Sequence, residues 1–132
     1  MRWWIVRSIL KYQVPALIWA IGIFILSSIE GLSYIEVPII YWDKLAHMFV
    51  YFVFCWLAYR AFFYQDRWML LKQWSLLSGF LLVVIYGYLD EIHQSFVPGR
   101  NYDVYDMLAN AIGAGLFVLI IMYYGKKRRQ KL

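Results

Sequence analysis

Four long apolar stretches, about Val14 to Ser28, Lys44 to Phe63, Trp74 to Leu89 and Val104 to Tyr124, most constrain what this chain can fold into. Each approaches the roughly 20 residues that a helix needs to cross a hydrocarbon core. Stretches of that length inside lipid become helices, because a helix satisfies its own backbone polar groups. The expected fold is therefore all-α, a polytopic membrane protein built as a bundle of four transmembrane helices. Composition agrees: of 132 residues 64% are apolar, 21% aromatic and only 16% charged, beyond the apolar share of a soluble domain. That leaves a single membrane domain over residues 1–132, with short connections. No internal repeat and no Gly-rich phosphate cradle after a strand is present, which removes the nucleotide-binding folds. The third stretch is the shortest and is expected to borrow 68–73, with Lys72 snorkelling to the headgroups.

Trp3, Trp4, Trp42, Trp68, Trp74, Tyr41, Tyr64, Tyr123 and Tyr124 crowd the segment ends, where an aromatic belt holds helices at the headgroup level. Basic residues favour the cytoplasmic side of short loops. Arg2, Arg7, Lys11, Arg60, Arg67, Lys72, Lys126, Lys127, Arg128, Arg129 and Lys131 share one side, 11 of the 13 basic residues, with Asp66 the one acid among them. Lys44 and Arg100 lie opposite with Glu30, Glu36, Asp43, Asp90, Glu91, Asp103 and Asp106. Both termini are thus expected to be cytoplasmic. The basic tail suits anionic lipid headgroups, and no nucleic-acid partner is expected. A retained first helix is expected rather than a cleaved signal peptide, since no small-x-small site follows Leu26.

Charge at membrane depth is expensive, so a dense ionisable cluster there is a functional-site hypothesis by default. The densest is Asp90-Glu91-Ile92-His93-Gln94-Ser95-Phe96-Val97-Pro98-Gly99-Arg100, placed after the third helix and around a Pro-Gly turn. At the start of the second helix Asp43 and His47 share a face, with Lys44 beside them. On the fourth, Asp106, Asn110 and Gly113 follow one stripe that Asp103 begins. Three helices are therefore expected to point polar faces into one extracytoplasmic pocket. Arg100 precedes the fourth helix, where a guanidinium fork and free helix amides suit a phosphate or carboxylate; neutralising Glu91, Asp103 or Asp106 is its other reading.

Asp43, His47, Glu91, His93, Asp103 and Asp106 could in principle ligate a metal, but they show no recognised ligand spacing, and neither metal nor cofactor is expected. The single cysteine, Cys55, sits mid-helix among Phe54, Trp56 and Leu57 and reads as a small core residue. Channel or transporter function is disfavoured, because the inner halves of the helices offer only Ser75, Ser78 and the hydroxyls of Tyr59 and Tyr86.

The set Asp43-Lys44-Leu45-Ala46-His47, Asp90-Glu91-Ile92-His93-Gln94, Phe96-Val97-Pro98-Gly99-Arg100, Asp106, Asn110 and Gly113, in this order and separation, resembles the VanZ-like family of small bacterial membrane proteins. The resemblance runs from about Ser27 to Gly115. It implies about four membrane helices, a place in the cytoplasmic (inner) membrane of a bacterium and a link to tolerance of teicoplanin-type glycopeptide antibiotics. Asn110 stands where many members carry Asp.

Three functions fit these residues. In an enzyme acting on a lipid-linked or wall-related substrate, Glu91 and His47 are the acid/base candidates, supported by Asp43 and Asp106. A partly desolvated carboxyl group and an imidazole are the side chains suited to proton transfer near neutrality. Arg100, Lys44, Gln94, His93 and Asn110 would then bind the substrate. A non-catalytic protein binding a lipid headgroup, wall precursor or glycopeptide keeps the pocket and drops the proton shuttle. A structural or partner-binding protein would use the same polar residues to fix helix register. Membrane lipids are partners in every case, and the oligomeric state is left open.

Overall fold

The computed structural model describes residues 3–30 and 40–129, with the side chains of residues 4, 5, 40, 41, 128 and 129 excepted. The expectations placed on Arg2, Trp4, Glu36, Tyr41, Arg128, Arg129 and Lys131 thus lie outside the described residues, in whole or in side chain. Six α-helices follow in chain order: α1 (Trp3–Ser8), α2 (Val14–Ser27), α3 (Ile40–Phe63), α4 (Met69–Gln73), α5 (Ser75–Gln94) and α6 (Val104–Arg129). Among the described residues four spans are long and apolar enough to cross a membrane, Val6–Ser27, Trp42–Phe63, Ser75–Gln94 and Val104–Lys127. The expected all-α four-span bundle is what the chain forms, and it is a multi-pass membrane protein.

The first span begins well before Val14. Pro15 has no N–H to give the carbonyl four residues back, and its ring crowds that turn. The helix absorbs this in a π-helical segment, Ile9–Gln13, closed by the Val14 N–H on the Ile9 carbonyl, and so continues from α1 into α2. Widened turns of this kind are where helices take up such conflicts. The third span shifts the other way. It gains little from 68–73, because Trp74 leaves helical geometry at φ −104°, ψ 29° and separates α4 from α5. Instead α5 runs on through Asp90, Glu91 and Gln94, five residues beyond Leu89. These polar side chains face inward, so the helix that carries them has no reason to stop at the first carboxylate. In the same way α3 already contains Asp43 and Lys44, and α6 extends past Tyr124 into the basic tail.

Helix α3 is the hub, packed most extensively on α6, then on α5, with α2 against its flank. Tyr51, Phe54, Cys55 and Ala58 of α3 meet Val83 of α5, Ala114 and Phe117 of α6, and Ile23 of α2 in the core. Cys55 is buried there, as a small core residue should be. Gly113 is what allows α6 to approach so closely: a Cβ on it would collide with the Met48 backbone. Around this core the surface is apolar, with Leu17, Ile18, Phe49 and Leu119 all more than half exposed. In water such a surface would aggregate; against acyl chains it is the ordinary exterior. Trp42, Trp68, Trp74, Tyr123 and Tyr124 are exposed at the span ends, as the belt requires.

Candidate functional site

At the end of the bundle where α3 and α6 begin and α5 finishes, most of the polar residues turn inward. Asp103 precedes the first residue of α6, and its Oδ1 accepts the Tyr105 backbone N–H at 2.8 Å, which satisfies one of the free amides of a helix start. Its Oδ2 accepts from Lys44 Nζ at 2.7 Å. Lys44 also donates to Asp43 Oδ2 at 3.2 Å and to Asp106 Oδ1, so its three protons serve three carboxylates on two helices. The Lys44 ammonium, seconded by the Tyr105 amide, holds the Asp103 carboxyl below the usual carboxylate range against the opposing effect of desolvation.

One turn deeper, His47 Nδ1 lies 2.9 Å from Asn110 Oδ1. An amide oxygen only accepts, so Nδ1 is the donor in this bond and Nε2 is the nitrogen turned toward the acids. That Nε2 faces Asp43 Oδ1 at 3.8 Å and Asp106 Oδ1 at 3.9 Å. Asp43, His47 and Asp106 can each present one ligand-capable atom within 4.8 Å of the others.

Behind this group α5 supplies a second network. Asp90, 5% exposed, accepts from Ser27 Oγ of α2 at 2.6 Å, Tyr51 Oη of α3 at 3.3 Å and Gln94 Nε2 one turn on at 3.1 Å. Charge-assisted bonds of this kind are among the stronger ones a fold makes. The next residue, Glu91, is 0% exposed, and neither of its carboxylate oxygens has a hydrogen-bond partner. Its charge couples to Asp106, His47 and Asp90, and a backbone attraction from Asp103 falls short of a hydrogen bond. Glu91 therefore joins the two networks electrostatically while belonging to neither by bonding.

Of the residues singled out in the sequence, Asp43, Lys44, His47, Asp106 and Asn110 come together in direct contact, with Glu91 buried beside them. Gln94 serves Asp90. His93 and Arg100 lie toward α2: His93 Nε2 is 2.9 Å from Ser28 Oγ and its ring stacks on Phe24. Arg100 Nη2 donates to the Leu26 carbonyl at 2.8 Å, its Nε is buried with no partner, and it makes no ion pair with Glu91, Asp103 or Asp106. Gly99, at φ 73°, sets the turn that sends it there. Sequence reasoning missed Ser27, Ser28 and Tyr51. For Tyr51 the signal was present, since Asp43, His47 and Tyr51 recur every four residues on one face of α3.

The VanZ/LLP1 family model matches residues 4–125. The chain belongs to the VanZ/LLP1 family. Among curated proteins this VanZ/LLP1 chain is similar to an uncharacterized protein of the fission yeast Schizosaccharomyces pombe, 31% identical over 90 residues. Those residues are 68% of this chain and 52% of the yeast protein, so the chain spans about half the length of the relative it matches. No solved structure matches it. The VanZ/LLP1 match runs through all four spans and so takes in every residue of the polar end.

Proposed function

We propose that the polar end of the bundle faces away from the cytoplasm, in a bacterial cytoplasmic membrane whose inner face the basic residues mark, and that its pocket acts on a lipid-linked envelope substrate with an anionic headgroup. The observation that carries this reading is Glu91, fully buried with both oxygens unpartnered. A buried carboxyl group with neither oxygen bonded costs a fold about 1–3 kcal/mol, and no hydrogen bond among the described residues offsets it. A side chain kept on such terms is best explained by chemistry. Glu91 and His47 exchange protons with the substrate, Asp43 and Asp106 orient His47, and Asn110 fixes its tautomer. Lys44, with Arg100, Gln94 and His93 toward α2, contacts the headgroup. The cellular consequence we expect is a contribution to teicoplanin tolerance.

A non-catalytic variant of this reading has one observation in its favour. Asp43 and Asp106 are committed to Lys44, which leaves few groups free to carry protons. The two are separated by incubating purified protein with polyprenyl-linked wall precursors and following masses, alongside teicoplanin susceptibility of a sensitive host expressing wild type, Glu91→Gln or Arg100→Ala at matched membrane levels. Catalysis predicts mass changes that Glu91→Gln abolishes, and tolerance lost in both variants. Binding alone predicts unchanged masses, with Glu91→Gln still protective and Arg100→Ala not. Unchanged masses together with no tolerance from the wild type would sink both.

A further inference from the structure

The pocket proposed to take an anionic headgroup is itself acidic, and its geometry gives His47, Asp43 and Asp106 an alternative to the proton-transfer and orienting roles of that reading. With Nδ1 turned toward Asn110, His47 Nε2 faces carboxylate oxygens of Asp43 and Asp106 at 3.8 and 3.9 Å. No hydrogen bond closes either gap, and two carboxylates turned toward one another repel unless positive charge lies among them. Lys44 supplies one such charge, yet it already serves Asp43, Asp103 and Asp106 together. Glu91, fully buried and unpartnered, adds a fourth carboxylate that couples most strongly to Asp106 and then to His47. Four acids around one lysine at the edge of a membrane, with His47 the other described group among them able to carry positive charge, leave room for a further cation.

We propose that Asp43, His47 and Asp106 ligate one divalent cation, with Glu91 as the buried carboxylate beside it. The three ligand atoms lie within 4.8 Å of one another. Bonds of roughly 2.0–2.2 Å to a common ion need only a small closing of side chains from there. Asn110 takes the part that a carbonyl or carboxylate usually plays behind a ligating histidine, fixing the tautomer that leaves Nε2 free to bind. Lys44 keeps Asp103 when the ion enters and releases Asp106. Carboxylates suit Mg²⁺ and Mn²⁺ while imidazole suits transition metals, so the mixed set selects an ion that accepts both, such as Mn²⁺ or Zn²⁺. The ion-binding step stands by itself. Its use rests on the reading above: the ion supplies the positive charge with which an acidic pocket holds a phosphate.

The test is calorimetric titration of EDTA-stripped, detergent-solubilised full-length protein with Mn²⁺, Zn²⁺ and Mg²⁺, with metal content by mass spectrometry after desalting. One ion per chain is expected. Binding should weaken by about tenfold or more in His47→Ala and Asp106→Asn and be unchanged in Lys72→Ala. Because the two buried variants can misfold, Asp43→Asn is the control: its side chain is 59% exposed, so it folds and should still lose binding. No saturable binding by wild type, or equal binding by Asp43→Asn and wild type, would overturn the proposal. Repeating the titration with a short-chain polyprenyl phosphate keeps the two readings apart. Ion binding that the phosphate leaves untouched retains the metal site and removes the anionic substrate, whereas phosphate binding without an ion does the reverse.

Discussion

The two ends of the bundle spend their charges in opposite ways. At the end formed by the starts of α3 and α6, acids and a lysine from separate helices bond across the interior: Lys44 ties α3 to α6, Asp90 ties α5 to α2 and α3. At the other end cations lie on the outside, over aromatic rings. Arg60 covers Tyr12 and Trp56 at 5.1 and 4.9 Å, Arg7 covers Trp3, and Arg67 covers Trp68. Lys72 pairs with Asp66 at 2.5 Å, the lysine about one-third and the aspartate about one-half exposed. Rings with cations over them are worth about 0.5–1 kcal/mol each where water reaches them, a surface arrangement that replacement tolerates. Burial makes each bond at the polar end cost more to break. Equal densities of charged residues can thus mean a belt at one end and a built site at the other, and burial distinguishes them.

The comparison breaks most completely at Gly113. Gly113→Leu should push α6 off the Met48 backbone and dismantle the polar end, at a cost of about 3 kcal/mol or more. Loss of the monodisperse peak in detergent size exclusion would be the sign, and a normal thermal unfolding curve would refute the close packing. Next in size is a contrast between neighbours. Asp90→Ala leaves Ser27, Tyr51 and Gln94 without their acceptor and should cost about 3 kcal/mol. Glu91→Gln removes no bond and should stay within about 1 kcal/mol of wild type. Equal destabilisation of the two, measured by thermal unfolding in one detergent, would mean that Glu91 is structural after all.

A smaller effect follows from acid. Because Lys44 depresses the Asp103 pKa in the folded state, the stability this pair lends is complete above about pH 4, the ordinary carboxylate range. It is lost as pH falls through the depressed value. With more than a third of the Asp103 side chain exposed, the effect should stay under about 1 kcal/mol. Asp103→Asn should flatten the unfolding temperature between about pH 5 and pH 2 relative to wild type, and an unchanged slope would count against the pair. The smallest effect belongs to the basic end, where Lys72→Ala should shift stability by no more than about 0.5 kcal/mol. A large loss there would erase the contrast between the two ends.

Much of this was legible in the residues. Apolar runs of membrane length announced four spans, and repeats of three and four residues put Asp43 with His47 and Asp106 with Asn110 on facing stripes. The end of α5 was not legible. Asp90 and Glu91 read as the start of a loop because the acceptor role of Asp90 depends on Ser27 and Tyr51, which are distant in sequence and unremarkable in type. The direction of Arg100 was hidden for a different reason. Pro98-Gly99 guarantees a turn, but which way the following side chain leaves depends on the handedness that Gly99 adopts. The π-helical segment escaped as well, since Pro15 reads as a helix start when nothing reveals that the preceding turn can widen to keep the helix whole.

The contact of Gly113 with the Met48 main chain also has a mechanical consequence. Where two helices meet through side chains, the layer between them can be compressed or repacked, and the spacing of whatever they carry drifts with it. Here, at the level of Gly113, α3 and α6 touch with no such cushion, so this end of the pair is held as one stiff beam. The gap between His47 and Asn110 is therefore set by main-chain geometry, and substitutions along the lipid-facing sides of either helix should leave that gauge unaltered.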